Sequence, residues 1–389
     1  MAQTWLTPGP TPVPAAVLEA QGRHPVFHRG RAFQLLLSEV TEGLQWLLET
    51  SNEVLLYTAS GTGALEAAIV NCFAPGERIV VCVNGFFGER VVTIATRAGL
   101  VVERLDYRWG EAVRADDVAA CLARTPDARG VVLQHSETST SVVNDLAAIA
   151  PVVTAAPSAP LLMVDAVSAA GALPIGTDRL ALDLVVGASQ KALGATPGVS
   201  FVAVGARAWA RHGELPPAPY YWDFSEYRRW ARPGTPESPY TPAISVIEGL
   251  AAALRGLREQ GLDAVFALHR LNAAAVKAGV AALGLEPFGE NIDAGVVVTA
   301  VRAPPGVDPS ALAAHLETRY GVVVAAGQGP LSADVLRVGH LGSVSAADVV
   351  AGIAALEAAL ADFGGPQPTG AGVAAVVQTY RKAGSWPGR

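Results

Sequence analysis

The stretch "VVGASQKALGATPG", Val185 to Gly198, decides how the rest of the chain is read. A β-branched run ends at Gly187, and Ser189, Gln190 and Lys191 lead into a segment rich in glycine and proline. Lysine is scarce: of 28 basic residues only Lys191, Lys277 and Lys382 are lysine, and the rest are arginine. In a chain drifting toward Ala, Arg, Gly and Pro, a merely solvated lysine should have been replaced. Arginine cannot stand in where a primary amine must lose its proton and attack a carbonyl. A surface lysine in a loop is the ordinary alternative, so Lys191 has to be weighed with its neighbours.

Two other segments end apolar runs in the same way. Asp165 closes "PLLMVDA", 26 residues before Lys191. A carboxylate there needs a cationic partner or hydrogen bonds, or it caps the helix that "DAVSAAG" could begin. "YTASGTGALEAA" places Ser60, Gly61, Thr62 and Gly63 between a strand and a helix. Such a helix start is either a capped tight turn or a cradle for a phosphate. A dinucleotide fingerprint would need glycine at position 66, where Glu66 stands, and no P-loop pattern follows.

Composition narrows the field. The 389 residues exceed what one small core needs, so two domains are expected; 51% of them are hydrophobic and 16% charged, as in a compact enzyme. A net charge of −7 offers no electrostatic footprint for nucleic acid or an anionic membrane. Cys72, Cys82 and Cys121 are an odd, unclustered set that suggests neither a disulfide framework nor a metal site. "MAQTWLTPGPTPVP" has no secretory pattern, and Leu146–Val164, uncharged but interrupted by three prolines, reads as a loop leading into a buried strand. A soluble, cytoplasmic protein is expected.

Along the chain, apolar strands alternate with helices. "EVLLYT", "RIVVCV", "VVERLDY", "GVVLQHS", "PLLMVDA", "LDLVVGAS" and "SFVAVG" read as strands, which predicts an α/β fold with a mostly parallel sheet covered on both faces. Long Ala/Leu-rich helices follow (Ala243–Gln260 and Leu262–Leu283), and then a second α/β unit containing "VLRVGHLG". The expected division is an N-terminal arm over 1–14, a large domain over 15–255, a small C-terminal domain over 256–363, and a linker with a terminal helix over 364–389.

In a parallel sheet, ligands sit at the C-terminal ends of the strands. A lysine for a Schiff base, an acid for a ring nitrogen and a dipole-lined cup together match what pyridoxal 5′-phosphate (PLP) requires. "TPGPTPVP", "SGTGALEAA", "NGFFGER", "HSETSTSVVNDL", "VDAVSAAGALPI", "GASQKALGATPGVSF" and "LRVGHLG" resemble, in this order, the class V aminotransferases of PLP fold type I. The nearest branch looks like the serine–pyruvate / alanine–glyoxylate aminotransferases, and the resemblance runs from Thr7 to about Asp362.

The resemblance implies Lys191 as the Schiff-base lysine, Asp165 as the partner of the pyridine nitrogen and Val167 under the ring. It implies Phe87 stacked on the cofactor, Ser139 near the phenolic oxygen, and Gln190 beside the phosphate with Ser60, Gly61 and Thr62. Arg337, with Gly9, is implied for the substrate, Arg337 receiving its α-carboxylate. Tyr240 and Thr241 are candidates for reaching a partner subunit's phosphate site, which goes with an expected homodimer. Where the family commonly reads H-G-E-[ST]-S-T-G, this chain has Ser136 and Ser141, side chains that would change the substrate pocket. The expected reaction moves an amino group from an alanine- or serine-like donor to glyoxylate or pyruvate by ping-pong half-reactions. Its rivals are a PLP-dependent lyase on the same scaffold and a non-catalytic PLP-binding protein. Desulfuration is disfavoured because it needs a cysteine in the C-terminal part, and all three lie before residue 122.

Overall fold

Seven apolar segments lie side by side in one sheet: β1 (Glu53–Tyr57), β2 (Arg78–Val83), β3 (Val101–Asp106), β4 (Ala128–Gln134), β5 (Leu161–Asp165), β6 (Leu184–Ala188) and β7 (Ser200–Val204). The computed structural model describes residues 3–232, 234–290 and 294–384. The spatial order is β1-β7-β6-β5-β4-β2-β3. Only β7 runs against its neighbours; β6, β5, β4, β2 and β3 pair in parallel. Every residue of β5, β6 and β7 is buried, which is why these strands read as unbroken apolar runs rather than alternating ones.

Side chains alternate between the two faces. Leu162 and Val164 join a core with the helices Arg31–Leu48, Ala115–Arg124 and Ile244–Gln260. Leu161 and Met163 point the other way, into a core with the helices Gly61–Cys72 and Phe86–Arg97. The cysteines are buried in these cores as free thiols.

One segment departs from the sequence reading. Leu146–Ala155, expected as loop, is a helix with Pro151 inside it. Asp145 caps it by accepting from the Ala148 amide (3.1 Å). Leu146, Ile149, Ala150 and Val153 are buried on one face. Burying each large apolar side chain gains about 1.5–3 kcal/mol, which together outweighs the roughly 3 kcal/mol that an interior proline costs.

A second unit follows the long helix Leu262–Ala282. Its three-stranded antiparallel sheet has β10 (Val335–Gly339) between β8 (Val298–Arg302) and β9 (Ala325–Ala326). The helix Ala346–Asp362 starts at a capping box formed by Ser345 and Asp348. The end of the chain is seated in this unit's core: in the helix Ala371–Lys382, Val376 and Tyr380 are buried, and the Tyr380 hydroxyl donates to Asn272 Oδ1 (2.9 Å). The rest of the expected terminal segment, 385–389, lies outside the described residues.

The Pro-rich arm finds partners within its own chain. Thr4–Trp5 pairs in parallel with Val322–Val323, Leu6 enters the C-terminal core, and the Thr11 hydroxyl donates to Lys191 O (2.9 Å). The arm therefore ties the second unit to the segment after β6. Among the described residues no helix is long and apolar enough to cross a membrane.

Close packing around β6 gives a direct test. Gly187 is registered against the buried Phe201 of β7, whose ring occupies the space a Cβ would need. Gly187→Val should lower stability by about 1–3 kcal/mol, read as a lower urea midpoint, and Phe201→Leu in the same chain should recover part of it.

Candidate active site

The parallel strands deliver their last residues to one place. Asp165 ends β5, Lys191 lies three residues beyond β6, and Ser136 lies two beyond β4. With Ser60, Gly61, Thr62, Phe87, Arg90, Val167 and Gln190 they line a cavity of about 250 Å³. A larger groove, about 730 Å³, lies between the helix Arg31–Leu48 and the segment Tyr227–Ser238, but it holds none of the residues the sequence singled out. The smaller cavity gathers the candidate residues.

Lys191 Nζ donates to the carbonyl of Pro8 (2.7 Å). The next residue, Gly9, has φ +122°, and a Cβ there would sit 2.6 Å from Nζ, so glycine is what lets the arm cross the amine. Burial depresses the Lys191 pKa to about 8; Arg337 and Arg90 push the same way, and Asp165 opposes them. Asp165 is buried and accepts from the Val167 amide (3.0 Å). Burial raises its pKa to about 6, against the Val167 hydrogen bond and the charges of Lys191 and Arg90. Each group is thus held short of its full charge and would gain from a counter-charge in the cavity.

The opposite wall is the start of the helix Gly61–Cys72. The Ser60 hydroxyl makes no capping bond, and the amides of Gly61 and Thr62 belong to the first turn, whose donors have no intrahelical acceptor. A Cβ on Gly61 would come within 2.8 Å of Val167 Cγ2, so this glycine lets the helix start against the floor of the cavity. Gln190 Oε1 is buried with no hydrogen-bond partner among the described residues. A free helix end, a deprotonable lysine and a buried carboxylate fit a phosphorylated pyridine aldehyde.

Three groups of consequence were missed in the sequence. Glu137 is fully buried, and its carboxylate accepts from the amides of Phe87 (2.9 Å), Gly88 (3.3 Å) and Ser139 (3.0 Å) and from the Ser139 hydroxyl (2.6 Å). It thereby anchors the first turn of the helix that presents Phe87. Arg90 lies one turn after Phe87, its guanidinium 4.8 Å from that ring's centre and 3.4 Å from Thr62 Oγ1. The i,i+3 spacing in "NGFFGER" was the available signal. Thr138 is the third. The structure turns Ser139 away from the cavity, its hydroxyl accepting from the Phe86 amide (3.0 Å) and donating to Glu137, while Thr138 and Ser136 line the wall. Adjacent hydroxyl residues in an extended turn face opposite ways, so sequence order alone cannot choose between them.

Arg337, in the middle of β10, is 6% exposed. It donates to Ala326 O (2.9 Å), Gln328 Oε1 (3.0 Å) and Thr138 O (3.4 Å). Burial lowers its pKa to about 10, partly offset by Glu137. Its direct hydrogen bonds all go to neutral oxygens. Tyr240 and Thr241 are outside the cavity of their own chain: Tyr240 stacks on Tyr221 (4.6 Å), and Thr241 is exposed beside His28.

Comparison with known proteins gives the family and the fold. The Aminotransferase class-V family model matches residues 8–342, and the chain belongs to that family, whose members are PLP-dependent enzymes of fold type I. It is 40% identical to the "Soluble hydrogenase, small subunit" of Synechococcus sp. (strain PCC 6716), over 97% of this chain and 98% of that protein. It is 34% identical to the L-aspartate–glyoxylate aminotransferase of Paracoccus denitrificans, over 96% and 95%. The crystal structure of pyridoxamine-pyruvate aminotransferase from Mesorhizobium loti superposes with a TM-score of 0.92 at 30% identity, covering 98% of both chains.

The depressed Lys191 pKa has a measurable consequence. Covalent capture of PLP by the apoprotein, trapped with borohydride and read by mass, should rise with pH through an inflection at about 8. Arg337→Ala should move that inflection upward, because one of the charges that depress the lysine is gone.

Proposed function

We propose that this enzyme transfers an amino group from a small α-amino acid to glyoxylate or pyruvate, in two half-reactions at one site. The observation that carries this reading is Arg337: a buried guanidinium whose hydrogen bonds all go to neutral oxygens, close enough to Lys191 to depress its pKa. Burying such a charge is costly unless it meets an anion, and a planar fork is suited to both oxygens of a carboxylate. The amino donor and the 2-oxo acceptor both carry an α-carboxylate. The activities for which the Paracoccus and Mesorhizobium proteins are named support this acceptor class.

When bound, PLP supplies an electrophilic aldehyde carbon and a ring that takes up the electron pair released at the substrate Cα. Lys191 would hold that carbon and would move the proton at the substrate Cα. Asp165, ionised, keeps a proton on the ring nitrogen. Ser60, Gly61, Thr62 and Gln190 would hold the phosphate, and Phe87 and Val167 would pack against the ring. Thr138, rather than Ser139, offers its hydroxyl to the phenolic oxygen. Gly9 leaves room beside the amine for the substrate. Ser136, whose hydroxyl is buried without a partner among the described residues, narrows the pocket and selects among donors.

The acting unit in this proposal is a homodimer, with Tyr240 and Thr241 reaching the partner's phosphate site. Phe27 at 68% and Leu35 at 54% exposed are large apolar side chains that a partner would cover. Three buried free thiols suit the reducing cytoplasm. Sedimentation at micromolar concentration should show a dimer burying more than ~2,000 Å². An active monomer at nanomolar concentration would contradict it.

Turnover tests the roles. A screen of alanine, serine and aspartate against glyoxylate and pyruvate should show the bound cofactor's absorbance lost on adding the donor and restored by the acceptor; release of ammonia without an acceptor would indicate a lyase instead. Lys191→Ala should abolish turnover, whereas Lys277→Ala should retain it. Asp165→Ala should lose at least ~10²-fold. Arg337→Ala should lower kcat/KM by roughly 10²- to 10³-fold in both half-reactions, and Arg337→Lys should recover only part.

A further inference from the structure

Ser141 sits in the left-handed region at φ +66°, and it is 7% exposed. A residue with a Cβ holds that conformation at a cost, and it persists where the surroundings over-determine it. Here the surroundings supply a hydrogen bond: the Ser141 hydroxyl accepts from the Ala300 amide at 2.6 Å, in a buried setting. β8 is an edge strand, with β10 as its only neighbour in that sheet. Ala300 turns both backbone groups to the edge away from β10, its carbonyl accepting from the Phe288 amide (2.8 Å) and its amide meeting Ser141. A buried amide left unmet would be costly.

What lies on the other side of Ala300 gives the contact its meaning. Ala300 is registered directly against Arg337 on β10. The loop Thr138–Ser141 therefore meets the C-terminal unit at three points. Arg337 donates to Thr138 O (3.4 Å), Gly289, at φ +102°, backs onto Thr140 O, and Ser141 holds Ala300. Thr138 lines the cavity and Ser141 does not. Ser141 touches neither reacting atoms nor the lysine, but it joins the cavity wall to the strand pair that carries the guanidinium.

We propose that Ser141 is a positioning residue whose hydroxyl latches β8 to the Thr138–Ser141 loop and so fixes Arg337 beside the cavity. The proposal rests on reading Arg337 as the carboxylate clamp. Glycine at this position would relieve the backbone but leave the Ala300 amide unmet. Alanine would keep the strained backbone and also leave it unmet. The two variants separate strain from latch.

The test uses the holoenzyme with Ser141→Gly, Ser141→Ala and Arg337→Ala. Hydrogen exchange at the Ala300 amide should accelerate at least ~10-fold in both Ser141 variants. KM for amino donor and 2-oxo acid should rise roughly 3- to 10-fold in both, with kcat within about twofold, because the clamp is present but less well placed. The thermal midpoint of Ser141→Gly should lie above that of Ser141→Ala, so a KM effect common to both cannot come from stability. Unchanged exchange at Ala300 would remove the latch. Faster exchange with wild-type KM, while Arg337→Ala raises KM, would show a latch that positions nothing and would overturn the proposal. If Arg337→Ala also leaves KM unchanged, the clamp reading itself fails, and the positioning role with it.

Discussion

A lysine amine buried among like charges is the constraint on which the rest of this structure depends. Lys191 shares its surroundings with Arg90 and Arg337; Asp165 offsets them at the lysine, and Glu137 does so at Arg337. Such a cluster is unfavourable in a low-dielectric cavity unless anions enter. A phosphate and a substrate carboxylate are anions of the right kind, and the free helix start at Gly61 adds partial positive charge on the same side. Burial first, and these like charges second, bring the lysine amine toward neutrality, where it is a nucleophile.

Holding that cluster together requires parts distant in sequence. β5 and β6 place Asp165 and Lys191 by parallel pairing, a rigid and local matter. Arg337 comes from the C-terminal unit, and Gly9 from the first turn of the arm. Two ties bring them in: the arm, which inserts Leu6 into the C-terminal core before crossing Lys191, and the loop after β4. Glu137 stands at the centre of that loop. Its carboxylate gathers the amides at the head of the Phe86–Arg97 helix, and its charge lies close enough to Arg337 to raise that group's pKa. One buried acid thus supports both the helix start that carries Phe87 and the buried guanidinium of Arg337.

Much of this was legible before any coordinates. The sheet was readable because β5, β6 and β7 are buried on both faces and so spell unbroken apolar runs. Lys191 and Asp165 were readable because a lone lysine and a lone acid each close such a run. The helix through Pro151 was not, since proline and the lack of charge suggested a loop, and only the sheet beneath Leu146, Ile149 and Val153 supplies the burial that outweighs the missing bond. Arg90 was hidden by the abundance of arginine.

The sequence by itself determined the class of chemistry, because a deprotonable amine, a carboxylate closing an apolar strand and a glycine-bearing helix start are features that other residue types do not supply. Only the tertiary structure decided which neighbouring hydroxyl faces the cavity, Thr138 or Ser139, and what Ser141 does there. Both depend on backbone direction and on an edge strand about 160 residues away in the chain, set by packing between units that no local pattern encodes.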